Sequence, residues 1–186
     1  MTQASTSNGL GRIATGAAIG LMAGLALPQA RKAVMQTPSL AAGDWVAALK
    51  AEHRMVEKLF GRLLATGDGD MVTREMLLTK IAYALNKHAT EEENVIYPAL
   101  AEGGHADQSH HLTQDQAQVK TFIYDLRRIS SRTPQWLAKA DEFWAALQHH
   151  IREEEDEVFP AFHDAMSKDE NASLTKMMNW EGFKVA

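Results

Sequence analysis

The sequence predicts an all-α protein: an antiparallel up-down-up-down four-helix bundle, preceded by an Ala/Gly-rich helix and followed by a short C-terminal helix. Three observations predict it. Long stretches carry apolar residues at helical spacing, and none alternates with period two for long enough to form a strand. Short Gly-, Pro- and Asp-containing breaks separate those stretches, which favours antiparallel neighbours. Finally, His88-Ala89-Thr90-Glu91-Glu92-Glu93-Asn94-Val95-Ile96-Tyr97-Pro98 returns as His150-Ile151-Arg152-Glu153-Glu154-Glu155-Asp156-Glu157-Val158-Phe159-Pro160.

Residues 1–8 are small and polar and read as disordered. From Ile13 to Ala30 there is no charged residue, and Gly16, Gly20 and Gly24 recur at every fourth position. Three readings fit this segment. It is a membrane or self-association helix with a small-residue face, about 27 Å long at roughly 1.5 Å per residue. It is a loosely docked Ala/Gly helix, since each Gly costs roughly 1 kcal/mol relative to Ala. Or it is a secretion signal, although no small-x-small cleavage site falls convincingly after Leu27. Arg31-Lys32 outweighs Arg12 as a positive flank, so the expectation is a cytoplasmic body, with membrane association through residues 13–30 left open.

Pro28, Pro38 and Gly43 mark a linker, so residues 1–43 read as an arm, 44–166 as the bundle and 167–186 as a closing segment. Asp44 is a cap for a first helix from Trp45 to about Ala65, and Gly67-Asp68-Gly69-Asp70 ends it. A second helix then runs from about Met71 to Leu100, and Gly103-Gly104 breaks the chain. The third spans about Asp107 to Ser130. Thr133-Pro134 pairs a capping hydroxyl with proline at the first helical position and starts the fourth, which runs to about Met166. A short helix from about Asn171 to Asn179 would cover one end with Leu174, Met177 and Trp180.

Composition narrows the chemistry. A formal charge of −5 and no basic stripe argue against nucleic acid. The absence of cysteine excludes disulfides, thiolate metal sites and cysteine nucleophiles. Eight histidines and two triple-glutamate runs suit a cation held by nitrogen and oxygen.

The repeat locates such a site. His88 and Glu92 lie four apart on one helix face, as do His150 and Glu154. The alignment extends upstream, where Glu52-His53 matches Asp115-Gln116 and Val56, Leu59 and Phe60 match Val119, Phe122 and Ile123. His53 precedes His88 by 35 residues and Gln116 precedes His150 by 34. Each copy is a helix pair too small to bury its own apolar stripe. A lone inward histidine such as His53 is more often a hydrogen-bonded core residue than a ligand. The glutamates discriminate, because burying Glu92 and Glu154 without a cation costs several kcal/mol per ion. Glu91, Glu93, Glu153 and Glu155 are expected to face water.

His53, His88-x-x-x-Glu92 and His150-x-x-x-Glu154, with their Tyr-Pro and Phe-Pro endings, resemble the hemerythrin-like (HHE cation-binding) family over about residues 44–166. The resemblance implies a four-helix bundle holding non-haem di-iron. His53, His88 and His150 would be terminal ligands, and Glu92 and Glu154 the bridges. It also implies a dioxygen-binding or oxygen-, redox- or iron-responsive protein, with dioxygen or another small diatomic or peroxide as ligand, and not primarily an enzyme. Alternatives are a di-iron peroxide-decomposing enzyme and a metal-free interaction scaffold. The departure is Gln116, where the family usually places histidine. Either Gln116 offers its amide oxygen or leaves a position to water, or His110 or His111 swings in to complete the site.

Overall fold

In the computed structural model, which describes residues 41–186, Asp44 accepts a hydrogen bond from the Ala47 amide at 2.8 Å and starts α1 (Trp45–Leu64). It is followed by α2 (Met71–Glu91), a π turn (Glu92–Ile96) and α3 (Tyr97–Glu102). After Gly103-Gly104 come α4 (Ala106–Arg128), α5 (Pro134–Glu153), a second π turn (Glu154–Val158) and α6 (Phe159–Ala165). The last element is α7 (Lys168–Val185). The described residues form an all-helical bundle. The Gly103-Gly104 turn needs its glycines: a Cβ on Gly103 would meet the Phe162 ring at 2.9 Å, and Gly104 has φ +93°.

The continuous second and fourth helices expected from sequence are each interrupted by a π turn, at matching places in the repeat. The prolines explain this. Pro98 has no amide hydrogen, and in an α-helix its ring would clash with the carbonyl of Asn94; Pro160 stands in the same relation to Asp156. A wider turn through those carbonyls relieves the clash. The Tyr97 amide bonds Glu92 O and the Phe159 amide bonds Glu154 O, each five residues back. Glu92 and Tyr97 thereby share the inner face, as do Glu154 and Phe159.

The core has three levels. Val56, Phe60, Leu63, Leu77, Ile81, Leu126, Trp136 and Phe143 fill one end. Trp45, Leu49, Ile96, Leu100, Leu112, Phe159 and Phe162 fill the other. Between them α1, α2, α4 and α5 contribute buried polar residues: Glu52 and His53 from α1, Lys87, His88 and Glu91 from α2, Gln116 from α4, and His150 from α5. Glu92 and Glu154, each the first residue of a π turn, complete this belt and are fully buried. A large apolar side chain stabilises by roughly 1.5–3 kcal/mol when fully buried, and the two apolar clusters enclose the belt from either end.

Several local expectations need correction. Thr133 precedes α5, but its hydroxyl bonds Ser130 O instead of capping the helix. The final helix has 18 residues and is not short. It begins with a capping box at Ser167 and Glu170, and Asn171 accepts from Trp45 Nε1 at 2.8 Å. Leu174 packs inward as expected, but Met178 is its buried companion, while Met177 and Trp180 are exposed. The expected Ala/Gly-rich helix at residues 13–30 lies outside the described residues. Among the described residues no helix is long and apolar enough to cross a membrane. The expectation of a cytoplasmic, membrane-associated placement is withdrawn on that finding.

Candidate metal centre

Five of the side chains singled out by the repeat meet in the belt. His53 Nε2 and His88 Nε2 lie 3.0 Å apart. His88 Nε2 is 3.0 Å from Glu92 Oε1, and His53 Nε2 is 3.4 Å from Glu154 Oε2. His150 Nε2 reaches the same Glu154 oxygen at 3.4 Å. The four residues His53, His88, Glu92 and Glu154 can each direct one ligand atom to a common point, and all four are buried.

Gln116 joins them from α4, as its place in the repeat requires. Its amide nitrogen donates to Glu92 Oε2 and lies 3.4 Å from His150 Nε2. His111 does not join them. It is half exposed on the surface, 3.2 Å from Glu153 Oε2 and 3.9 Å from Asp115 Oδ2. His110 is also exposed and faces Gln114. The reason is angular: both histidines precede Gln116 by about a turn and a half, on another face of a helix that starts regularly at Ala106. The idea that either swings into the centre is corrected accordingly.

Each inward histidine presents Nε2 to the centre and has a carboxylate on its other nitrogen. His53 Nδ1 faces Glu155 Oε1 at 2.8 Å and His88 Nδ1 faces Glu52 Oε2 at 3.1 Å, whereas His150 Nδ1 makes a longer charge contact with Asp115 Oδ2 at 3.5 Å without a hydrogen bond. Such carboxylate–imidazole pairs orient the ring and raise its basicity toward a metal. Two of these partners are themselves repeats: Glu52 and Asp115 align and each backs the histidine of its own helix pair. The third breaks symmetry. Glu155 backs His53, while its counterpart Glu93 pairs with Lys120 on the surface, because Gln116 has no ring nitrogen to support.

The site contains a further buried group that the sequence reading sent to water. Glu91 is fully buried and accepts from Lys87 Nζ at 2.7 Å; Lys87 also donates to Glu52. Burial and the nearby Glu52 charge push the Glu91 carboxyl up to about 8. Burial works against Glu52 too, but His88 and Lys87 outweigh it and hold its carboxyl well below the usual range. Tyr97 was also missed. Its hydroxyl lies 2.7 Å from Glu154 Oε1 and 3.0 Å from Glu92 Oε2, joining the two carboxylates. The available signal was an aromatic residue five places after Glu92 and just before a proline.

Electrostatics at the centre are those of opposed charges held out of water. Burial alone would lower the histidines, but Glu154, with Asp115 and Glu92, pushes His150 up to about 9. Burial likewise opposes His88, and Glu92 and Glu52 raise it well above the ordinary imidazole value. Burial and the adjacent Glu154 charge raise Glu92, whereas the surrounding histidines overcome burial and lower Glu154. Two carboxylates this close ionise unequally.

The residues fit a bound cation. Glu92 Oε1 and Glu154 Oε2 are buried without a hydrogen-bond partner, although imidazole nitrogens lie 3.0–3.4 Å away. Ligands at about 2.1 Å from a metal stand about 3.0 Å apart in octahedral and about 3.4 Å apart in tetrahedral arrangement. The observed separations match that spacing, and orphaned acceptors aimed at imidazole nitrogens are what a cation would satisfy.

The phenol makes a separate prediction. Tyr97→Phe is expected to destabilise the metal-free protein by roughly 1–3 kcal/mol, because Glu92 and Glu154 each lose a buried partner. Phe159 holds the equivalent place in the second π turn without a hydroxyl. Urea unfolding of the two proteins checks this, and equal midpoints would deny the hydroxyl a structural role.

Comparison with known proteins agrees with this geometry. The chain is 23% identical over 122 residues to a DNA nickase from Nostoc sp., covering 66% of this chain and 34% of that protein. It is 26% identical over 133 residues to an uncharacterized hemerythrin-like protein from Schizosaccharomyces pombe, covering 68% of this chain and 63% of that one. The chain therefore spans about a third and just under two thirds of these relatives' lengths. No solved structure matches. The model of the hemerythrin HHE cation-binding domain matches residues 45–162, well over half of the chain, and the chain belongs to that family.

Proposed function

We propose that this chain is a non-haem iron protein, with a di-iron centre that binds dioxygen or responds to oxygen, redox state or iron. The observation that carries this reading is the convergence of three imidazole Nε2 atoms and two carboxylates in a buried layer, each imidazole backed by a carboxylate. His53 and His88 would hold one iron, His150 the other, with Glu92 and Glu154 shared between them. Gln116 would stand beside the second position as a weak oxygen ligand. Iron at such a site supplies a redox-active Lewis acid. The chain's own residues would orient the imidazoles through Glu52, Asp115 and Glu155, and Tyr97 would fix the spacing of the shared carboxylates.

The same layer supports the expected alternation of helices. The Trp45 end of the core takes the start of α1, the residues after α2, the start of α4 and the residues after α5. That is the pattern of an up-down-up-down bundle. The division into arm (1–43), bundle (44–166) and closing segment (167–186) belongs to the same proposal.

Hemerythrin-like domains are generally non-catalytic metal- and dioxygen-binding modules. The nickase activity named for the Nostoc relative is not proposed here, because the shared part is a third of that protein and this chain carries a formal charge of −5. Thermal unfolding with and without iron(II) under anaerobic conditions tests the proposal. Free iron at 100 times its dissociation constant should stabilise the fold by about 2.7 kcal/mol. An unmoved transition would count against a metal site.

A further inference from the structure

A groove of about 420 Å³ lies between α2 and α4, and Gln116 is among its lining residues. Its walls are Ala82, Leu85 and Ala89 on one side and Val119 and Ile123 on the other, with Lys120 and Arg127 at the exposed rim. The small side chains of Ala82 and Ala89 leave the space open on the α2 side. At the inner end Gln116 is only 2% exposed and is held by its bonds to Glu92 and, at 3.4 Å, the Tyr97 hydroxyl. The groove is therefore wide outside and closed inside by one long, uncharged side chain.

We infer that this groove is the route by which a small ligand reaches the metal centre, with Gln116 as its inner gate. The inference rests on the function proposed above. A ligand of two or three atoms is small against a volume of about 420 Å³, and at the rim Lys120 is paired with Glu93. Rotation of the Gln116 side chain away from Glu92 opens the last step, breaking uncharged-donor hydrogen bonds and moving no backbone. A histidine at this position would be fixed by metal coordination, so the departure from the repeat is what makes the gate movable. A smaller cavity of about 80 Å³, lined by Asp115, Phe122, Ala146, His149 and His150 and sharing Val119 with the groove, lies on the α4–α5 side and is the rival route.

Two measurements on the full chain test the route. In iron-loaded protein, azide binding is followed by stopped-flow absorbance. Ala89→Leu narrows the groove and should slow association about tenfold, as expected when entry requires a rearrangement. Ile123→Ala, at a residue that lines the groove and not the rival cavity, widens it and should speed association, while Ala146→Leu, which fills the rival cavity, should leave the rate unchanged. Opposite changes from Ala89→Leu and Ile123→Ala exclude a shared folding defect. In metal-free protein, xenon is titrated while the Gln116 side-chain amide resonances are followed by NMR. They should shift in the parent chain and not in Ala89→Leu. Xenon that leaves Gln116 unmoved, or azide entry slowed by Ala146→Leu instead of Ala89→Leu, overturns the route. A chain that binds no iron removes the proposed function but still reports on the groove through xenon.

Discussion

Glu92→Ala and Glu154→Ala are each expected to lose iron almost completely, while Glu93→Ala keeps it. The contrast follows from burial. Glu92 and Glu154 are fully enclosed, each with one oxygen lacking a hydrogen-bond partner, whereas Glu93 pairs with Lys120 at the surface. Removing either shared carboxylate takes a ligand from both metal positions and leaves the facing imidazoles without their counter-charge. Glu155 separates from Glu93 despite its matching place in the repeat. It holds His53 Nδ1 at 2.8 Å, so Glu155→Ala should weaken iron affinity by about 10–100-fold. Iron per chain, measured for all four variants after the same anaerobic loading, checks the order. Retention of iron by Glu92→Ala and Glu154→Ala would contradict the assignment of the inner face.

Gln116→His is expected to raise iron occupancy and slow iron loss to a chelator. Gln116 occupies the place that His53 holds in the first helix pair, and it lies within 3.4 Å of His150 Nε2. A carboxamide oxygen carries no charge and binds iron weakly, whereas a neutral imidazole is a good ligand. The position served by His150 and Gln116 should therefore release its iron first in the parent chain. The fold should change little, because the two side chains are similar in size and Leu112 and Val119 pack on either side along α4. His110→Ala and His111→Ala should retain iron, since both histidines are exposed and bonded elsewhere. Loss of iron in either, with no gain from Gln116→His, would mean that the helix start rearranges on loading. Gln116→His should also slow azide entry, because a coordinated ring cannot act as a gate.

What was legible in the sequence had two periods behind it, the helical turn and the repeat. His88 with Glu92 and His150 with Glu154 were legible because four residues make one turn, and because both pairs recur in matching surroundings. His53 and Gln116 were legible through the repeat alone. The π turns were not, although both prolines were visible, because helical spacing carries no record of an extra residue until the prolines are set against the carbonyls behind them. Tyr97 entered the site through that shift. Glu91 was misplaced for a different reason: it sits on the inner face of α2 with Ala84, Lys87 and His88, where its partner is the buried Lys87, which is held from across the bundle by Glu52. Glu52 and Asp115 were aligned in the repeat as acidic neighbours of the ligand positions, yet their role depends on which helix packs opposite, and a linear pattern does not state that.

Whether the buried layer holds iron is decided by metal analysis of the purified full-length protein with an optical spectrum recorded in air. Close to two irons per chain are expected after loading, the second more easily removed, with near-ultraviolet charge-transfer bands that disappear with the metal. A colourless protein that remains free of iron after anaerobic reconstitution, while folded and helical, would contradict that expectation.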